Sequence, residues 1–342
     1  MRTLVVNPGS SSLKVSLLSD GQDVPDDGGP YDAVGVRFVH GGAHTSAVRL
    51  DDRVLEELAE VSHLAPLHNP PALGAARDLL RQHPGVPVVA CFDTAFHSTL
   101  PPAASTYALP REWNERFGLR RYGFHGLSHS YASRRAAHVL RRPVEELRIV
   151  SCHLGGGASL CAVRGGRSVD TTMGMTPMEG LVMQTRSGSV DPGLLFHLLD
   201  RGVAADELER VLDRESGLAG LTGTSGDLRE VRAAADAGAA DAVSGLAVYV
   251  HALVRGIGAM AAAAGGIDAL VFTGGVGEHA PEVRRDAGRA LAFLGVGVDD
   301  LLNAEASSDA DVSAAGSTVS TLVVTAREDL EIEREVRGAL GV

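Results

Sequence analysis

The chain has 342 residues, 44% of them hydrophobic, which is enough for two domains with full cores at roughly 150 residues each. Its net charge of −12 implies an acidic surface, so we expect it to bind neither nucleic acid nor a membrane surface. The three cysteines lack metal-binding spacing, and we find neither a signal segment nor a stretch of about 20 apolar residues that could span a bilayer. We therefore expect a reduced, cytoplasmic protein.

The first predicted element is a β-hairpin around a loop of small residues. Residues 4–18 read LVVNPGSSSLKVSLL, in which two apolar runs flank residues 9–12. Such a loop presents backbone N–H groups and hydroxyls that suit a phosphate. Lys14 is the one lysine of the chain, and its compact ammonium is a good partner for phosphate oxygens. The alternative is that this lysine has no role in the loop.

The next stretch alternates strands and helices. The apolar pattern predicts these elements in chain order: a polar loop at 21–33, a strand at 34–39, a helix at 51–63, a proline-pinned segment at 64–73, a helix at 72–82 and a strand at 87–92. Arg37 lies in a predicted strand and must find an anion or face solvent. Asp93 follows a buried strand, the usual place for a functional acid in an α/β sheet.

Glycine-rich loops punctuate the second half. His125 sits on a glycine-flanked turn ahead of a helix, and residues 148–174 read as strand, Gly155-Gly156-Gly157, strand, turn and strand. The remaining predictions follow in chain order: an irregular loop at 168–193, a helix at 192–200 begun by Asp191-Pro192, a loop at 216–229, a helix at 230–265 broken at Gly238 or Gly245 with a buried end, a strand and Gly-Gly-x-Gly loop at 267–279, a strand at 320–325, and a closing helix after Glu328.

One hairpin unit occurs twice. Residues 9–13 (GSSSL) align without a gap on residues 156–160 (GGASL). A repeat this far apart indicates two similar halves rather than a solenoid, whose period would be roughly 20–50 residues. Two such loops facing each other would hold the phosphates of a nucleotide between domains. The alternative is that the glycines only make turns.

These stretches together resemble the acetokinase family. The matching motifs run in family order over most of the chain: NPGSSSLK, VRFVHGG, LAPLHNPP, FDTAFH, RRYGFHG, HLGGGAS, DTTMGMTPMEGL, TRSG, DP and FTGGVGE. The resemblance implies an α/β fold of two actin-like, Hsp70-like ATPase domains, each like ribonuclease H, with the active site in the cleft between them. It implies an N-terminal domain of residues 1–94 plus 330–342, a nucleotide-binding and dimerisation domain of residues 95–329, and a homodimer.

The resemblance also implies an activity: reversible, Mg²⁺-dependent transfer of the ATP γ-phosphoryl to acetate, with Mn²⁺ as a possible substitute metal. The implied catalytic residues are Arg37, His68, Asp93, His125 and Arg186. The implied acid-binding residues are Arg37, Val39, Leu67, Phe124 and Pro177. The implied nucleotide and phosphate contacts are Ser10, Ser12, Lys14, His153, Gly155, Gly156, Gly157, Asp227, Leu228, Arg229, Gly275, Val276 and Gly277. The implied metal ligands are Asn7 and Glu328.

The chain departs from the family at a few positions, which leaves alternatives open. The family usually has asparagine where this chain has Gly156, and an asparagine there would add a side-chain donor beside the phosphates. Residues 21–33 are also much shorter than in most members. A propionate or butyrate kinase is therefore one alternative. A nucleotide-binding regulator that has lost catalysis is another, although a regulator has no need of paired arginines.

Overall fold

The computed structural model describes the whole chain except residues 9–12. The described residues form two compact units. The first comprises residues 1–100, 122–131 and 326–342, and the second comprises residues 101–121 and 132–325. The functional domain boundary expected from the sequence, 1–94 plus 330–342 against 95–329, remains a proposal.

Twelve strands are described. They are β1 (Arg2–Pro8), β2 (Leu13–Ser19), β3 (Gln22–Asp23), β4 (Ala33–Phe38), β5 (Val48–Arg49), β6 (Val88–Phe92), β7 (Arg148–Leu154), β8 (Ala158–Arg164), β9 (Arg167–Thr171), β10 (Ala269–Thr273), β11 (Ala310–Asp311) and β12 (Ser320–Val323).

Fourteen α-helices are described with them. They are α1 (Asp52–Glu60), α2 (Asn69–Gln82), α3 (Pro102–Ser105), α4 (Arg111–Phe117), α5 (Gly126–Leu140), α6 (Pro192–Asp200), α7 (Ala205–Arg214), α8 (Gly217–Thr222), α9 (Leu228–Asp236), α10 (Ala240–Ala263), α11 (Gly274–His279), α12 (Pro281–Ala290), α13 (Asp300–Glu305) and α14 (Glu328–Leu340). Short 3₁₀ turns lie at Val61–Leu64, Ala95–Thr99, Val144–Glu146 and Ala292–Leu294.

The sheet of the first unit is covered on both faces. Its strand order is β3-β2-β1-β4-β6-β5. Because successive side chains of a strand point to opposite faces, Val34 and Val36 of β4 pack with helices α1 and α2. On the other face, Ala33 packs with Ile332 and Val336 of helix α14. The helices thereby bury both faces of strands β1, β4 and β6.

The second unit repeats the strand plan of the first. Its strand order is β11-β12-β10-β7-β8-β9. Read from β9, this order gives three antiparallel strands, then two strands parallel to the third, and then an antiparallel edge strand, which is the plan of the first sheet. The central strand is β1 in one sheet and β7 in the other, and each begins the hairpin that the sequence repeat identified. The predicted duplication and the two-domain α/β fold are therefore confirmed.

Helix α10 corrects two expectations. The helix predicted at 230–265 is broken at Gly238, as expected. Helix α10, however, buries only one of its faces, which carries residues such as Tyr249, Leu253 and Ile257. With 24 residues and a mean hydropathy of 1.5 over its most apolar part, α10 is long and apolar enough to cross a membrane, so a stretch of that kind does exist. This is weak evidence for a span, because core helices meet the same criterion.

Two local predictions differ from the structure. The Gly-Gly-x-Gly stretch after β10 was expected as a loop, yet residues 274–279 form helix α11, because the chain turns into a helix directly after the buried strand. Helix α2 begins at Asn69 rather than at residue 72. Its two prolines occupy the first helical turn, where the N–H group that proline lacks would have no hydrogen-bond partner within the helix. The predicted start of α6 after Asp191 is confirmed, and the Asp191 side chain accepts from the N–H of Gly193.

We predict that the packing of β4 on α14 tolerates no added methyl group. A Cβ at Gly35 would lie 2.5 Å from Ile332 Cγ2 and 2.8 Å from Val336 Cγ2. Gly35→Ala should therefore lower the free energy of unfolding by about 1–3 kcal/mol. The control is Gly74→Ala on the exposed side of α2, where the added Cβ meets nothing within 4 Å and should stabilise the protein by up to about 1 kcal/mol. Urea unfolding measures both, and equal effects would contradict the packing argument.

Candidate active site

Arg37 is the centre of a cluster in the first unit. Its Nε donates to Asp93 Oδ1 at 2.9 Å and its Nη2 donates to Asp93 Oδ2 at 2.6 Å, a two-pronged ion pair. The pair forms because β4 and β6 are adjacent parallel strands that carry both residues to the same sheet edge. Asp93 is only 1% exposed, so its charge depends on the guanidinium. Burial acts to lower the pKa of Arg37, but Asp93 and Glu328 outweigh it and hold that pKa above its usual value.

Asn7 and Glu328 complete this cluster. Arg37 Nη1 donates to Asn7 Oδ1 at 3.0 Å and lies 3.4 Å from Glu328 Oε2, while Asn7 Nδ2 donates to Glu328 Oε2 at 3.0 Å. An amide oxygen and a carboxylate side by side are ligands that Mg²⁺ accepts, and Mg²⁺ usually takes one or two carboxylates while keeping several waters. The two residues implied as metal ligands therefore fit the group. Among the described residues, no group of three or more His, Cys, Asp and Glu side chains is placed to bind a metal ion.

Lys14 lies beside this cluster in the sheet. It stands opposite Asn7 in the β1–β2 register, and directly opposite residues of an antiparallel pair share one face of the sheet. The Lys14 side chain is exposed. The two predicted phosphate contacts Ser10 and Ser12 lie outside the described residues.

The two candidate histidines occupy loop positions in the first unit. His68 precedes α2 and His125 precedes α5, and both are half-buried. His125 has a φ of +56°, which is unusual for a residue with a side chain and is often found where function imposes it. The neighbouring Gly126 donates its N–H to the Asp93 carbonyl at 2.9 Å, and a Cβ there would lie 2.1 Å from that oxygen. Close backbone contact thus fixes His125 relative to Asp93.

The predicted acid-binding side chains differ in exposure. Val39 and Phe124 are buried at 7% and 1% exposure, whereas Leu67 is 40% exposed. Phe124 is held by its neighbours, since its ring lies 5.8 Å from that of His40 and its carbonyl is 3.0 Å from His97 Nε2. Burial lowers the pKa of His97 to about 4, so this ring is neutral at pH 7. Pro177 belongs to the second unit and is half-buried there.

Arg186 is ion-paired within the second unit. Its Nε donates to Asp213 Oδ1 at 2.8 Å, and both side chains are 19% exposed. Arg214 also approaches Asp213, at 3.5 Å, but is 60% exposed. Asp213 lies outside the sequence motifs, because no spacing signal links it to the TRSG stretch. Each predicted arginine is therefore held by a carboxylate of its own unit.

Three glycine-rich stretches predicted to bind nucleotide meet at one cavity in the second unit. This second-unit cavity has a volume of about 460 Å³. Its lining includes Gly155 and Gly156 of the β7–β8 loop, residues 227–229, and Gly275 and Val276 of α11. Leu218 and Tyr249 add apolar wall, and Gln184, which the sequence did not single out, also lines it. Small residues, a few apolar side chains and a charged rim are typical of a ligand site.

Two arginines stabilise residues at the rim of this cavity and in the adjacent helix α11. Arg229 pairs with Asp227 at 2.6 Å, and its side-chain hydrogen bond lowers the pKa of Asp227 to about 2. Arg284 is 1% exposed and donates to the carbonyls of Gly277 and Glu278, which end helix α11. Three further residues predicted as nucleotide contacts are not part of the lining: His153, Gly157 and Gly277.

Comparison with known proteins confirms the resemblance found in the sequence. The model of the acetokinase family matches residues 22–334. An acetate kinase of Synechococcus sp. (strain JA-2-3B'a(2-13)) is 50% identical over 300 residues, which cover 87% of this chain and 74% of the relative.

Solved structures agree with this similarity. An acetate kinase from Porphyromonas gingivalis superposes with a TM-score of 0.92 at 34% identity, covering 99% of both chains. A propionate kinase from Francisella tularensis subsp. tularensis SCHU S4 superposes with a TM-score of 0.90 at 32% identity, covering 98% of this chain and 99% of its own.

We predict that the Arg37–Asp93 pair stabilises the first unit. Asp93→Asn keeps the side-chain shape and removes the charge, leaving a partly buried guanidinium without its main counterion. The free energy of unfolding should fall by about 3 kcal/mol. The control is Asp78→Asn, which disrupts the exposed Asp78–Arg81 pair and should cost at most about 0.5 kcal/mol. Chemical denaturation compares them, and a similar small loss in both would show that the buried charge pair does not stabilise the fold.

Proposed function

This chain belongs to the acetokinase family, a family of kinases that use ATP, and we propose that it transfers the γ-phosphoryl group of ATP reversibly to acetate. The products would be acetyl phosphate and ADP. The observation that carries the proposal is the second-unit cavity, where three separate predicted nucleotide stretches converge. The paired arginines in ion-paired, partly buried positions support phosphoryl transfer rather than simple nucleotide binding.

The proposed reaction needs no covalent catalysis by the protein. A carboxylate is already a nucleophile, so its oxygen attacks the γ-phosphorus and the bond to the β,γ-bridging oxygen breaks, leaving ADP. Charge develops on three equatorial oxygens during this step, and fixed donors that need no rearrangement stabilise it best. Arg37 and Arg186 would supply two such donors, each oriented by its carboxylate partner. His68 and His125 would donate hydrogen bonds to the transferring group.

Asn7 and Glu328 would hold the magnesium ion, because their oxygens lie together at the Arg37 cluster. The bound ion would supply positive charge to the phosphate oxygens, and Mn²⁺ would serve similarly. Asp93 would orient Arg37 rather than react, since both of its oxygens accept from that guanidinium. Lys14 would place an ammonium on the same face of the sheet as Asn7.

The acid's alkyl end would be bound by Val39, Leu67, Phe124 and Pro177. Acetate is the proposed substrate because the closely similar curated relatives are named acetate kinase. Propionate is the second candidate, since a propionate kinase shares the fold over nearly the whole chain.

We further propose a cytoplasmic homodimer that contains the second unit in its interface. The outer side of α10 exposes Val243 and Val248, at 52% and 41%, and α6 exposes Phe196 at 66%. Apolar surface of this kind is usual where copies associate. The three cysteines are buried thiols that form no disulfide among the described residues, which suits a reducing compartment.

Hydroxylamine trapping tests the proposed reaction directly. The purified protein is incubated with ATP, Mg²⁺, hydroxylamine and acetate, propionate or butyrate in turn. We expect acyl hydroxamate with all chain lengths that fit, and the highest kcat/KM with acetate. No hydroxamate from any of the three acids, in a protein that still binds nucleotide, would favour a regulator and overturn the proposal.

We predict that Arg186 acts mainly in the transition state. Arg186→Ala should lower kcat roughly 10²–10³-fold, as loss of a fixed donor to a developing anion does. Arg186→Lys should recover little of this, because lysine lacks the planar fork. The matched control is Arg214→Ala, which removes the exposed second partner of Asp213 and should leave kcat within about 3-fold. A near-normal kcat in Arg186→Lys would count against the proposed role.

We predict that Val39 limits the length of the acid. Val39→Ala should raise kcat/KM for propionate or butyrate relative to acetate by about 10-fold or more, since one methylene is worth roughly 1–3 kcal/mol in an apolar pocket. Val34→Ala is the control, because it makes the same change in the buried core of the same segment and should leave the ratio unchanged. An unchanged acid ranking in Val39→Ala would remove this residue from the pocket.

A further inference from the structure

Gly156 lines the second-unit cavity next to a side chain that limits what can replace it. It is exposed and is not among the residues with positive φ, so its backbone would accept an ordinary side chain. A Cβ built at Gly156, however, would lie 3.1 Å from Gln184 Oε1. The space for a side chain at residue 156 is therefore narrowed by the carboxamide of Gln184.

Gln184 is fixed in that place from three directions. Its backbone N–H donates to the Gly156 carbonyl at 3.1 Å, and its own carbonyl accepts from the N–H of Ala219 at 2.9 Å. Its side-chain Nε2 donates to the Ser225 carbonyl at 3.1 Å. Gln184 thus links the glycine loop, through its backbone, to the loop that carries residues 227–229, through its side chain, and these are two of the three stretches that line the cavity.

We infer that Gln184 is the side-chain amide that positions the nucleotide in the second-unit cavity, in place of an amide at residue 156. The inference rests on the proposed function, because it takes ATP or ADP as the occupant. The Ser225 carbonyl uses one N–H of the carboxamide and so fixes which end carries the nitrogen. The second N–H is left to donate to a nucleotide oxygen, and Oε1 is left to accept from a ligand hydroxyl or amine.

The geometry allows a side-chain amide at residue 156 or at residue 184 to contact the nucleotide, but not at both. Asparagine at residue 156 would bring its Cβ to 3.1 Å from Gln184 Oε1, so the carboxamide would have to shift by a few tenths of an ångström, which strains its hydrogen bond to Ser225. Gly156→Asn alone should therefore bring no gain in nucleotide affinity. With the glutamine removed, the same asparagine has room, and its amide can take over the contact. The two substitutions should consequently be strongly non-additive, as expected for residues in direct contact.

A double-mutant cycle tests the inference, with the ADP dissociation constant from calorimetry and the kinetics with ATP as separate measurements. Gln184→Ala should weaken ADP binding and raise KM for ATP about 5- to 10-fold, the loss of one hydrogen bond or two, with kcat and KM for acetate within about 3-fold. Gly156→Asn in the Gln184→Ala background should restore the ADP affinity to within about 2-fold of the parent protein. Gln82→Ala, at the exposed end of α2, is the matched control and should change nothing.

Two further measurements separate positioning from a structural role. Gln184→Met keeps the volume and removes both polar atoms, so it should weaken ADP binding as much as Gln184→Ala while keeping the melting temperature, and it replaces the alanine variant if that one unfolds. Parent-like ADP affinity in either folded variant would overturn the inference. So would additive effects in the cycle. A parent protein that binds ADP but forms no acyl phosphate would instead contradict the proposed function and leave this test of Gln184 in force.

Discussion

The paired bonds between Arg37 and Asp93 are the contact on which the first unit's candidate site depends. The Asp93 carboxylate is almost fully buried, and removing such a group from water is costly unless a cation with good geometry accompanies it. The guanidinium also contacts Asn7 and Glu328, which begin far away in the chain on β1 and α14. One charged side chain therefore holds four distant segments in register. Any rearrangement of one of them changes the environment of the other three.

The two units show how one strand plan can carry two different kinds of site. In the first, the edge formed by β1, β4 and β6 carries the ionic cluster around Arg37. In the second, the corresponding strands β7 and β10 are followed by the glycine-rich stretches that line the second-unit cavity. The identical strand order shows that the topology is what the two halves share. The side chains at the strand ends are what distinguish them.

Much of this organisation could be predicted from the sequence because it depends on local signals. The repeated hairpin predicted the duplicated sheet, and Asp191-Pro192 predicted the start of α6. The glycines at residues 274–277 were misleading, since their low helix propensity favours a loop while the contacts of the fold produce α11. The partial burial of α10 was also not predictable, because alanine-rich sequence gives little sign of which face is covered.

The partners of the site residues were the least predictable part. Asp213 pairs with Arg186 across 27 positions of loop and helix, and no periodicity connects the two. Gln184 was overlooked for a related reason: glutamine is common on surfaces, and its importance arises only from the paths of two loops around it. Sequence patterns identify residues whose chemistry is distinctive. They do not identify ordinary residues that become important through their neighbours.

The single lysine of this chain has a practical consequence for chemical labelling. Thirty of its 31 basic Lys and Arg side chains are guanidinium groups, which ordinary amine reagents leave unmodified at neutral pH. Side-chain acylation is therefore confined to Lys14, which is exposed and lies opposite Asn7 on β2. The other reactive amine is the N-terminus, which contacts Asp20 at 3.3 Å. A fluorophore ester would consequently attach at Lys14 and at the N-terminus, both in the first unit, without any cysteine or lysine having to be engineered.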